Sequence, residues 1–194
     1  MKPPSEHVHW LFATGFLFLG LCLLAEAIVG TEVWRRRRWR AYLWPSLAFA
    51  LGLLLWPVMV FFTNSTLHML AHGAWAEVFT LGAATELALV RGKLHSNWWR
   101  LGMASAFVVS GTAFLIHEQN AWFFQRSSFL HHLLGWLLLV GAVFPLIRCM
   151  RPRSQVAMAG FALTLVVGSI MLYSDRDVAP VFGHISPLAG TPHR

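Results

Sequence analysis

Six apolar stretches, at about residues 10–31, 42–62, 67–90, 98–117, 129–148 and 154–173, each approach the length a helix needs to cross the hydrocarbon of a bilayer. Inside lipid every backbone N–H and C=O must be satisfied within the protein, so each stretch is a helix unless it belongs to a closed barrel. The runs are far longer than barrel strands and do not alternate polar with apolar residues. The expected fold is therefore all-α: a polytopic membrane helical bundle of six transmembrane helices over residues 1–173, followed by an extended outward tail over 174–194. Hydrophobic residues make up 57% of the chain and charged residues 12%, a balance too apolar for one ordinary soluble domain. Met1 to Trp10 reads poorly as a signal peptide, because Lys2 is its one basic residue, Glu6 interrupts it, and the apolar run that follows is too long.

The basic residues decide the orientation. Arg35 to Arg38 with Arg40, then Arg91, Lys93 and Arg100, then Arg148, Arg151 and Arg153 fall in the first, third and fifth connections, whereas the other side receives Lys2, Arg126, Arg176 and Arg194. Positive residues collect on the inner side of membranes, so both termini are expected outside, in a plasma or inner membrane. The same sorting accounts for the formal charge of +7 without nucleic acid as a partner. Membrane lipids, and other membrane subunits, are the expected company. Glu26 is expected to pair with the arginine cluster, and Glu86 with Arg91 and Lys93. Cys22 and Cys149 form neither a disulfide framework nor a thiolate metal motif.

Histidine is sorted too. Nine of the ten histidines (His7, His9, His68, His72, His117, His131, His132, His184 and His193) fall on the outward side, and His95 alone falls inward. Because an ordinary imidazole is mostly neutral at pH 7, positive-inside sorting does not explain this. Four outward helix ends can converge on a metal: His9 from the first span, His68 and His72 one turn apart on the third, His117 from the fourth, and His131 or His132 from the fifth. If Ser127 or Ser128 caps the fifth span, His131 and His132 stand in its first turn, where the helix field keeps imidazole neutral. They point about 100° apart, so one of the two is expected in the site, with His132 slightly preferred. Copper or zinc suits imidazole ligands; haem b, held by an axial histidine from the third and fifth spans, is the alternative cofactor.

Two carboxylates could give such a site chemistry. Glu118 follows His117 directly and can ligate, orient a histidine or act as general base; Glu77 lies near mid-depth in the third span, where an ionisable side chain is a functional candidate. A metal-dependent oxidoreductase or hydrolase acting on a lipid-soluble substrate is one reading. A haem-binding or structural accessory subunit of a larger membrane complex is the other, so whether the chain is an enzyme stays open at this point. No nucleotide-binding loop, serine elbow or inverted repeat is present in the sequence.

The segment His117-Glu118-Gln119-Asn120, with Arg126 and His131-His132, preceded by the helix bearing His68 and His72, resembles the eukaryotic transmembrane protein 45 group over residues 64–148. In that group a second histidine stands two positions after the first, where this chain has Gln119. The resemblance implies a multi-helix membrane fold with histidines flanking a late loop, and it promotes no particular metal.

Overall fold

In a computed structural model of the chain, the backbone is described for residues 5–62, 66–116 and 126–174; side chains are described over the same residues except 5–6, 58–62, 66–69, 71 and 126–127. The expected tail lies outside the described residues. Helices α1 (Ser5–Val29), α2 (Thr31–Arg35), α3 (Arg38–Phe62), α4 (Thr66–Val90), α5 (Leu101–Ile116), α6 (Arg126–Gly141), α7 (Val143–Met150) and α8 (Gln155–Ser174) are joined by one 3-10 turn, Asn97–Arg100. Four segments, His7–Val29, Asn97–Ile116, Ser128–Met150 and Gln155–Ser174, are long and apolar enough to cross a membrane. The chain is thus an all-α bundle of membrane-spanning character, and α3 and α4 add two further helices of 25 residues each.

The breaks have local causes. Gly30 (φ 86°) ends α1 in the left-handed region, its N–H donating to the Glu26 carbonyl at 2.9 Å. Gly92 (φ 69°) does the same for α4, and Lys93 N–H reaches back to the Ala88 carbonyl at 2.9 Å. Helices α6 and α7 are interrupted at Ala142; Pro145 has no N–H to offer the Gly141 carbonyl and its ring crowds that group. Pro45 and Pro57 both lie inside α3, which stays helical through them.

The long helices form a closed ring in the order α1, α3, α4, α5, α6, α8, with α8 packed against α1. Neighbours run antiparallel, as paired residues show: Glu26 meets Trp44, Trp75 meets Phe114, Phe114 meets His131, and Thr14 meets Tyr173. Small residues let the backbones approach. A Cβ added at Gly82 would stand 2.8 Å from the Gly102 carbonyl oxygen, and one at Gly111 2.8 Å from that of Gly135. Inside the ring, edge-to-face pairs fill the core: Phe16 on Phe79 at 5.6 Å, Trp44 on Phe161 at 5.9 Å, and Phe107 on Phe161 at 5.2 Å. Outside it, Phe18, Ile28, Leu53, Val108, Trp136, Leu163 and Ile170 are exposed. Helices that are apolar on every side, around a ring whose outer surface is also apolar, suit lipid as the surrounding solvent.

Candidate metal centre

Antiparallel alternation brings the start of α1, the start of α6 and the early part of α4 to one end of the ring. There α1 supplies His9 and α6 supplies His131, whose rings meet edge to face at 5.9 Å. His131 is only 4% exposed and also lies 5.3 Å from the Phe114 ring. Phe114 in turn packs on Trp75 at 4.9 Å, and Trp75 on His72 at 6.0 Å. A continuous chain of rings therefore links histidines of three helices across this end. Two imidazoles bound to one ion at about 2.0–2.1 Å place their ring centres roughly 5–6 Å apart, which the His9–His131 pair already satisfies.

The rest of the expected set is distributed as follows. His132 is half-buried and its Nδ1 lies 2.8 Å from the Ser128 carbonyl, on the same helix. In that contact Nδ1–H donates and the carbonyl oxygen accepts. His131, and not the preferred His132, is thus the residue turned into the ring. Helix α6 begins at Arg126, so Ser128 lies inside the helix rather than capping it. The same start removes the argument from the helix field, because His131 and His132 fall beyond the first turn, where that field is felt. His68 lies on α4 with its side chain outside the described residues, and His117 and Glu118 lie wholly outside them. Glu77 is exposed, turned out of the ring and not toward its interior. Among the described residues, no group of three or more histidine, cysteine, aspartate or glutamate side chains is arranged to hold a metal ion.

Beneath the histidines, Phe16, Trp75, Phe79, Phe107, Phe114 and Leu134 surround a cavity of about 30 Å³, where the Ser110 hydroxyl lies buried among apolar walls. A single water needs at least about 10–15 Å³, so the space suits a very small molecule. Neither a lipid tail nor a porphyrin fits within it.

The opposite end holds the buried charges. Glu26 accepts from Trp44 Nε1–H at 3.1 Å and lies 3.5 Å from Arg35. Glu86 faces two guanidinium groups, Arg100 at 3.5 Å and Arg148 at 3.7 Å, and both Glu86 and Arg148 are 0% exposed. Arg148 lies over the rings of Trp44 at 5.4 Å and Phe161 at 6.0 Å, and Arg100 Nη1 donates to Asn97 Oδ1. Glu26 therefore has the arginine partner expected of it. The expected partners of Glu86 are corrected: Arg91 and Lys93 are exposed on the turn that Gly92 makes, and the antiparallel ring delivers Arg100 and Arg148 in their place. A guanidinium inside the apolar run of α7 was the available signal for Arg148, and sequence reasoning had assigned it only to the basic connection.

No protein-family model, curated protein or solved structure matches the chain.

Proposed function

We propose that the chain is an integral membrane protein of six transmembrane helices with both termini outside, and that its histidine end holds one copper or zinc ion near the outer leaflet. The observation that carries this reading is the meeting of His9 and His131, two imidazoles from different helices, at a spacing suited to a shared ion. The remaining ligands are proposed to be His68, from α4, and His117, from the connection after α5; His72 is separated from His131 by the rings of Trp75 and Phe114 and stands outside the pair. Both metals accept neutral imidazole, and the ion would supply Lewis acidity or, as copper, electron transfer. Glu118 is the carboxylate placed by sequence to orient a ligand or accept a proton, in oxidation or hydrolysis of a substrate that approaches from the outer surface. The narrow, ring-filled interior favours an ion over haem b.

Multi-element analysis of the detergent-purified protein tests the proposal. About one copper or zinc per chain is expected, falling severalfold in His131→Ala and His9→Ala and least in His132→Ala. A well-folded protein that carries no transition metal, and takes up none when copper or zinc is supplied, would overturn it.

A further inference from the structure

Glu77 stands at the middle of α4, eleven residues from Thr66 and thirteen from Val90, or roughly 16–20 Å from either end. It is exposed, and among the described residues no hydrogen bond or ion pair reaches it. At about 100° per residue, Leu70, Gly73, Ala84 and Leu81 share its face, whereas Phe79, Ala83 and Glu86 occupy the opposite, buried face. The carboxylate is therefore aimed directly away from the ring. An ionisable group at such a depth is costly in lipid and, in membrane proteins, is almost always turned toward a partner or a wet cavity.

We propose that this outward face of α4 docks a membrane helix of another protein that carries a lysine or arginine at mid-depth, closing an ion pair with Glu77. The inference rests on reading α4 as membrane-spanning. Charge complementarity selects the partner, and the small side chains at Gly73, Ala74 and Ala84 let its backbone come close enough for a long cationic side chain to reach the carboxylate. A second copy of this chain fits less well. No lysine or arginine lies on this face, so a symmetric contact would set one carboxylate against another.

The test uses the full chain in phosphatidylcholine vesicles, with its tryptophans as energy donors to dansyl-labelled synthetic helices of about twenty leucine and alanine residues. Three such peptides differ only in a central lysine, leucine or glutamate. The lysine peptide is expected to associate at a peptide-to-lipid ratio about tenfold below that of the leucine peptide, and Glu77→Ala is expected to erase the difference. Ala74→Ile, which keeps the carboxylate but fills the approach, should weaken lysine-peptide association while metal content and helicity stay unchanged. Equal association of lysine and leucine peptides with the native chain would overturn the docking, as would preference for the glutamate peptide, the signature of a carboxyl pair between two copies. A protein that does not float with the vesicles would overturn the membrane reading, and the docking with it; one that floats yet treats the peptides alike would sink the docking alone.

Discussion

The two ends of the ring bury polar groups in opposite ways. At the basic end, two carboxylates are surrounded by guanidinium groups and an indole, so that each buried charge has an opposite charge or a ring face beside it. At the histidine end, imidazole meets imidazole at His9 and His131, and imidazole meets aromatic rings at His131 and His72. The contacts at the basic end are long, 3.5 Å and 3.7 Å from Glu86 to its two arginines, and neither Glu86 oxygen has a hydrogen bond, yet breaking them leaves an uncompensated buried ion. Imidazoles stacked among rings can be neutral and still offer a lone pair. The contrast ties stability to the basic end, and the proposed metal would give the histidine end its chemistry.

Removing Arg148 breaks the comparison hardest. Arg148→Ala leaves Glu86 buried with Arg100 as its remaining partner and empties the space over Trp44 and Phe161, which should cost about 3–5 kcal/mol in unfolding free energy. Arg148→Met retains the volume over the two rings and should lose less than Arg148→Ala, because Glu86 keeps Arg100 as its counter-ion in both and the methionine refills the space. By contrast, His131→Ala should reduce metal content far more than the stability of metal-free protein. Denaturant unfolding in detergent, with and without supplied metal, separates the two effects. Metal-free His131→Ala losing as much stability as Arg148→Ala would show that both ends are structural.

A smaller effect isolates the indole. Trp44→Phe keeps most of the aromatic volume but removes the donor to Glu26, leaving a buried carboxylate oxygen without its hydrogen bond. A loss of about 1–3 kcal/mol is expected, measurable as a lowered unfolding midpoint. Stability unchanged within error would mean that Arg35 alone compensates Glu26.

The positions of the long helices were legible because the apolar runs are long, so most of their ends could be placed to within a few residues, although four segments and not six are apolar and long enough to cross a membrane among the described residues. Facing was not legible. The helices are apolar on every side, and a pattern without contrast does not say which side turns inward; Glu77 could be located in depth but not in direction. Pairing at the basic end was hidden for another reason. Arg91 and Lys93 are near Glu86 in sequence, whereas Arg100 and Arg148 become its neighbours only once the ring has closed. The choice between His131 and His132 had no signal in the sequence: consecutive residues point about 100° apart, and which of them turns inward depends on how α6 packs. The grouping of histidines at one end could be read from residue order alone, since helix alternation dictates it, but the contact between His9 and His131 depends on α1 and α6 converging.

The smallest expected effect marks where the basic end stops being structural. Arg153 reaches Glu32 at 2.7 Å, a shorter ion pair than any of the buried ones quoted above, yet their side chains are 80% and 72% exposed. Solvent and salt screen such a pair, and ordering two long side chains offsets most of what remains. Arg153→Ala should therefore shift stability by no more than about 0.5 kcal/mol, and the shift should vanish in high salt. If distance governed the energetics of this end, Arg153→Ala would rival Arg148→Ala. If burial governs, as the geometry requires, the two variants will differ several-fold, with the longer contact giving the larger loss.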